Sequence, residues 1–177
     1  MEHQLFHLAS FDTTTSMAFL SIIVGMVFIL LILKAKPMPA AAKYASLGMV
    51  IAILGLLSWV FYKAHDATVI LTPTTVTLDI PLYKVTLPRD HLLTADAKLV
   101  NWEDNTAPKL SYRTNGIGLP GYRLGWFRLT EEMTGTNKAL LSVAGTKQVL
   151  VLPTKEEYVL ILSVTDGASL LAALQGQ

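Results

Sequence analysis

The chain has 177 residues, of which 52% are hydrophobic and only 15% charged, against about 25% charged in an ordinary globular protein. It contains no cysteine, which excludes disulfides, thiolate metal sites and a cysteine nucleophile. Fourteen Lys/Arg against thirteen Asp/Glu, with eleven of each from Lys63 onward, leave no electrostatic footprint for nucleic acid.

The charge deficit is local. No charged residue stands between Asp12 and Lys34, and none between Lys43 and Lys63. Beyond Lys63 the chain reverts to globular alternation. Residues 1–16 read as an N-terminal segment, 17–63 as a transmembrane helical hairpin, and 67–177 as a mostly-β domain. The two spans are residues 17–33 and 44–62, joined by a loop at 34–43 in which Pro37 and Pro39 mark the break. The first span covers about 25 Å, short of the ~30 Å hydrocarbon core unless the Thr/Ser turn at 13–16 joins the helix. Tyr44 at one end of the second span, and Trp59, Phe61 and Tyr62 at the other, suit the headgroup level. Ser21 and Gly25 on the first helix, with Gly48, Ala52 and Gly55 on the second, are small enough to let two backbones approach and are the expected packing face. No Lys or Arg precedes the first span, so it reads as an uncleaved helix rather than a signal peptide. Lys34, Lys36 and Lys43 in the loop place it on the cytoplasmic side of an inner membrane. Both the N-terminus and the C-terminal domain are then expected on the outer, periplasmic side.

From residue 67 the pattern turns to strands at 68–72, 74–80 and 82–87, punctuated by Pro73, Pro81 and Pro88. A second group covers 122–130, 139–143, 147–152 and 158–164. The short turns between them imply antiparallel neighbours. Thr165 or Asp166 caps a terminal helix carrying Leu170, Leu171 and Leu174, and Gly176 stops it.

Between the strand groups, Asn115-Gly116-Ile117-Gly118-Leu119-Pro120-Gly121 satisfies GxGxxG formally. A dinucleotide site needs a helix opening at the third glycine. Pro120 and the strand-like Tyr122-Arg123-Leu124-Gly125-Trp126-Phe127 argue for a loop with no nucleotide.

The run from Arg113 to Leu129, with its glycine loop, Gly-Trp-Phe strand, following hairpins and closing Leu-rich helix, resembles the bacterial pleckstrin-homology-like (PH-like) domains of small membrane proteins. The likeness covers residues 68–174. It implies two near-orthogonal antiparallel sheets of seven strands, a partly open barrel capped by the C-terminal helix. It implies little about activity, because a fold hosts function without fixing it. Phosphoinositide binding by relatives uses a basic loop between the first strands; here that region offers only Lys84 and Arg89 beside Asp79 and Asp90.

No acid–base or nucleophilic constellation emerges, so no catalytic residue, cofactor or metal is expected. His3 and His7, one helical turn apart, lack the supporting shell of a metal site; His65 and His91 are isolated. Glu103–Asp104, Glu131–Glu132 and Glu156–Glu157 read as solvated pairs in turns. The candidate binding residues are Arg113, Asn115, Tyr122, Arg123, Trp126 and Arg128, because interleaved aromatic and Arg side chains are what binding hot spots show. Expected partners are the bilayer and another protein or a copy of the chain, with a lipid or small ligand as the alternative.

Overall fold

The computed structural model describes residues 3–176. Strand β1 (Gln4–His7) leads into helices α1 (Thr13–Ala35) and α2 (Ala40–His65). There follow β2 (Thr68–Leu71), β3 (Thr75–Ile80), β4 (Tyr83–Pro88), β5 (Lys98–Val100), β6 (Leu110–Leu119), β7 (Tyr122–Met133), β8 (Thr136–Ala144), β9 (Val149–Pro153), β10 (Val159–Ser163) and the closing helix α3 (Gly167–Gln175). One sheet has the order β1-β2-β3-β4, the other β5-β9-β10-β8-β7-β6.

Both long helices are long and apolar enough to cross a membrane. At 1.5 Å per residue they measure about 35 and 39 Å. Asp12 starts α1 by accepting a 2.7 Å hydrogen bond from the Thr15 amide, which draws the Thr turn at 13–16 into the helix. At the far end the Lys43 ammonium donates to the Lys34 carbonyl at 2.7 Å, closing the tight connection. Outside their domain-proximal ends the helices are bare, with Val24, Phe28, Tyr44 and Met49 each more than 60% exposed.

The seam between α1 and α2 is not the small-residue face. Partly buried side chains recur at Ile22, Met26, Leu30 and Leu33 on α1, and at Leu47, Val50, Leu54 and Leu57 on α2. This three-and-four spacing is that of interdigitating large side chains. Ser21, Gly25, Gly48, Ala52 and Gly55 are exposed, and a Cβ added at any of the three glycines would meet nothing. Large side chains give more dispersion contact across the seam, and the glycines fall on the outer faces.

The N-terminal segment is part of the domain. β1 pairs antiparallel with β2, Gln4 opposite Leu71 and His7 opposite Thr68. Leu8 bridges to Val164, and the Ala9 amide donates to the Ser163 carbonyl at 2.8 Å. The helical hairpin is thus an insertion between two neighbouring strands of one sheet, and the chain on either side of it returns to the same face.

In the second sheet the expectation of antiparallel neighbours fails at one place. β10 lies between β8 and β9, antiparallel to β9 but parallel to β8. The turn joining β8 to β9 must therefore step over two strand spacings, about 9.6 Å, which four residues can reach; Gly145 and Gln148 both take positive φ to do so. β8, β9 and β10 are buried along most of their lengths on both faces. That explains their unbroken apolar runs. One face packs with the first sheet around Leu124, Leu140, Leu160 and Leu162, closed by Leu170 and Leu174 of α3. The other holds Phe127, Leu141, Val151 and Ile161. β5 and β6 are the two edges of this sheet, so the chain linking them, 101–109, runs from one edge to the other, and Trp102, Ala107 and Leu110 pack on that second cluster.

α3 is capped as its sequence implies. Asp166 accepts from the Ser169 amide and hydroxyl, which lowers its pKa, and Gly176 ends the helix at φ 77°. Its last carbonyls are satisfied by the Arg89 guanidinium, which donates to Ala173 and Leu174.

Candidate functional site

The six candidate binding residues fall in three places. Tyr122 points inward and is 2% exposed. It belongs to the root of the hairpin, where its ring meets Phe11 edge-on at 4.5 Å and Phe19 at 6.0 Å. Phe11 stacks on Phe19 at 5.2 Å, Phe61 joins both, and His65 packs edge-on against Phe11 and Phe61. Five rings drawn from the β1–α1 link, α1, α2 and β7 thus lock the helices to the β-domain. Two further contacts frame the root. Lys63 pairs with Asp79 at 3.2 Å, and Gly121 sits directly against the Thr15 hydroxyl, at a φ of 75° where any Cβ would collide with it. Both members of the ion pair are about one-third exposed, so breaking it with Lys63→Ala is expected to cost at most about 1 kcal/mol in a thermal melt.

The Tyr122 hydroxyl and Thr15 Oγ1 are buried with no hydrogen-bond partner among the described residues. Burial pushes the Tyr122 phenol well above its ordinary value, so it stays protonated throughout the physiological range. An unsatisfied buried hydroxyl costs about 1–3 kcal/mol. Tyr122→Phe keeps every ring contact and removes that cost, so its melting temperature is expected to equal or exceed that of the parent; a clear fall would show that the hydroxyl has a partner in solution.

Arg123 faces the other way. Its guanidinium lies 5.6 Å from the Trp102 ring centre, over the loop that covers the second cluster.

The remaining candidates converge. Asn115, Trp126 and Arg128 line a cleft of about 220 Å³ with Thr114 and Lys138. The Lys138 ammonium stands 4.4 Å from the Trp126 ring centre, and the same indole meets Tyr158 edge-on at 5.2 Å. Arg128 donates to the Asn137 side-chain carbonyl. Burial, and then the Glu156 carboxylate, raise the Tyr158 pKa. Two cations, an amide, a hydroxyl and an indole with no carboxylate in the lining form a surface suited to a carboxylate or phosphate. Arg113 is exposed on β6 nearby, its guanidinium reaching the space beside Gly118.

The glycine stretch expected as a loop is strand. Gly116 pairs with Gly125 across β6 and β7, and Ile117, Gly118 and Leu119 continue the ladder to the turn at Pro120 and Gly121. Gly116 and Gly125 both have positive φ, at 126° and 111°, and a Cβ on either would strike the opposing backbone. The glycines serve close strand approach, and the Tyr83 hydroxyl of β4 comes down on Gly125.

Sequence reasoning missed Lys138 and Thr114, whose arrival at the cleft depends on the β6–β7–β8 register. It also missed the Phe11–Phe19–Phe61 cluster, whose members lie in three separate elements. The histidines stand differently too. His7 lies on a strand rather than a helix, so the helical-turn spacing from His3 does not apply, and His91 pairs with Glu156. Glu131 and Glu132 lie within β7 rather than in a turn. Among the described residues no three His, Asp or Glu side chains gather as metal ligands.

Compared with known proteins, the chain matches no protein-family model, and no curated protein or solved structure matches it significantly.

Proposed function

We propose that the chain is an integral membrane protein whose hairpin crosses the bilayer and holds the β-domain at the surface as a non-enzymatic module engaging another protein or a second copy of itself. The observation that carries this reading is the insertion of two bare apolar helices between β1 and β2, with an aromatic root that fixes the domain to them. A domain tethered at both ends of a hairpin is presented in one orientation, which lowers the orientational cost of meeting a membrane-bound partner. Lys34, Lys36 and Lys43, in and beside the connection between the helices, support by the positive-inside bias a connection on the cytoplasmic side of an inner membrane and a domain on the outer side. Retention of the first helix agrees with its role, since cleavage would remove β1 and two of the five root rings, Phe11 and Phe19.

The engaging surface is the β6 edge. It runs ten residues with its outward side unpaired among the described residues, and carries Tyr112, 60% exposed, beside Arg113 and the cation-lined cleft. An extended partner strand adds to such an edge through main-chain hydrogen bonds. The two sheets and the closing helix support a PH-like reading of the domain; the parallel β8–β10 pair and the additional strands depart from the seven-strand plan. The reading is tested by a photo-crosslinking residue at Tyr112 in native membranes, with Pro73, on the turn between β2 and β3, as the reference site. A discrete adduct from Tyr112 is expected, at a multiple of the chain mass if the partner is a copy. Equal, diffuse labelling from the two sites contradicts it.

A second reading rests on the Asn115–Trp126–Arg128–Lys138 cleft, which suits a small anionic ligand. Trp126 stands four residues beyond Tyr122 along β7, about 13 Å from the root, which favours a soluble ligand or a partner carboxylate over a lipid headgroup. Lys138→Ala with Arg128→Ala is expected to abolish any carboxylate-induced shift of the Trp126 indole resonance; a shift that survives both changes counts against the cleft.

A further inference from the structure

We propose that two hairpin tips of the β-domain, Ile80–Tyr83 and Ile117–Tyr122, insert into the headgroup–acyl boundary of the same leaflet that receives the helices; the inference rests on the membrane-crossing reading above.

The strand directions put both tips on the helix side. Thr68, at the start of β2, follows α2 directly and pairs with Asp79. The turn after β3, at Pro81 and Leu82, is therefore beside the end of α2, where Lys63 holds Asp79. The turn between β6 and β7 touches Thr15 of α1 through Gly121.

The helix lengths then set the depth. Phe19 and Val60 are fully buried where the domain meets the hairpin. From Phe19 to Lys34 is about 22 Å, and from Val60 back to Lys43 about 26 Å, both short of a ~30 Å hydrocarbon core. Spanning that core takes about 20 residues. Counted back from Lys34 this reaches Thr14, and counted forward from Lys43 it reaches Lys63. Those two residues stand at the level of Gly121 and Asp79, so the hydrocarbon border meets the domain at the two tips.

The composition of the tips matches that depth. From Ile117 to Tyr122 and from Ile80 to Tyr83 there is no charge. Leu82 is 43% exposed and sits at φ 65°, a conformation that Gly or Asn takes at lower cost. In water an exposed leucine there gains nothing over either; in lipid its side chain is solvated. Pro120 is exposed at the other tip. Turns at the opposite ends of the strands are polar, with Thr134 and Gly135 after β7 and Lys155, Glu156 and Glu157 after β9. The third helix-side turn, Gly145–Gln148, carries Lys147, which with Glu103 and Asp12 lines an open cavity of about 650 Å³. That side of the domain stays at the level of water and headgroups.

The absence of cysteine makes the test direct. Leu82→Cys, Pro120→Cys, Val24→Cys and Lys155→Cys are each made in the full chain and spin-labelled. The proteins are reconstituted in vesicles of phosphatidylcholine with phosphatidylglycerol, and accessibility to oxygen and to a water-soluble nickel chelate is measured. The expected result is an oxygen-to-nickel ratio at Leu82 and Pro120 several-fold above that at Lys155 and approaching that at Val24. The tips belong to different sheets, so one variant that fails to fold leaves the other to decide. Tip labels equal to Lys155, with Val24 in lipid, overturn this inference and leave the anchoring intact. Aqueous values at all four sites overturn both.

Discussion

Gly125→Val is expected to abolish the folded β-domain. Gly125 has a φ of 111°, and a Cβ there would strike the Asn115 carbonyl, the Gly116 Cα and the Tyr83 hydroxyl together. Two of these are backbone of the paired strand and cannot move aside, so relief requires β6 to part from β7. A β-branched residue at positive φ adds backbone strain of about 1–3 kcal/mol. Together with the lost ladder this exceeds the ~4–5 kcal/mol that marks an exceptional substitution, close to the whole stability of many domains. The measurement is the far-UV melting transition and protease resistance of the full chain in detergent. A melting temperature within a few degrees of the parent would show that the two strands do not meet as described.

Phe19→Ala has the second largest expected effect, and it falls on the junction. Phe19 has no exposed surface and touches Phe11, Phe61 and Tyr122. Removing a buried phenyl ring costs about 3–5 kcal/mol, part transfer and part cavity. Because the ring joins α1 to α2 and β7, its loss should free the hairpin from the domain before the domain itself unfolds. Proteolysis at the link around Phe11 is expected to accelerate by at least an order of magnitude while the β-domain stays resistant. Phe19→Leu, which keeps most of the volume, should cost roughly 1–2 kcal/mol, within the ordinary range for single changes. Unchanged cleavage in Phe19→Ala would mean that the root does not hold the two parts together.

Much of this architecture is legible in the chain because it rests on composition and local pattern. The two uncharged stretches declare long apolar helices, the Val-, Ile-, Leu- and Thr-rich runs at β2 and β3 and the aromatic and apolar runs at β7 to β10 declare strands, and Asp166 with Gly176 brackets α3. What escaped depends on contacts distant in sequence. Gln4-Leu5-Phe6-His7 is too short and too mixed to declare a strand, and becomes one only because β2 offers its edge. Gly116, Gly118 and Pro120 lower strand propensity enough that β6 reads as a loop; pairing with β7 overrides that, and the glycines are what allow the close approach. The parallel β8–β10 pair is invisible in a four-residue turn, which ordinarily joins neighbours. Small residues on α1 and α2 suggested a packing face by analogy with close-packed membrane helices, whereas the seam went to the larger side chains. Of the candidate binding residues, Asn115, Trp126 and Arg128 do share a cleft, because register brings the β6 and β7 positions together. Tyr122 lies on the same strand face as Trp126, but where that face is covered by the helices, and it became a structural ring.

These features give the hairpin a mechanical meaning. Helices joined to a domain by a single flexible link leave it free to tumble over the surface, while a hairpin inserted between paired strands and sealed by five rings does not. Under the proposed function, a partner of the β6 edge or the adjacent cleft would be met in a fixed orientation at a fixed height.

The most direct measurement of that claim is the distance distribution between spin labels at Met38, in the hairpin loop, and Lys155, at the far end of the β-domain, in the full chain reconstituted in lipid nanodiscs. A single narrow population that broadens in Phe19→Ala is the expected result. A broad distribution in the parent chain, unchanged by that substitution, would contradict a rigidly seated domain.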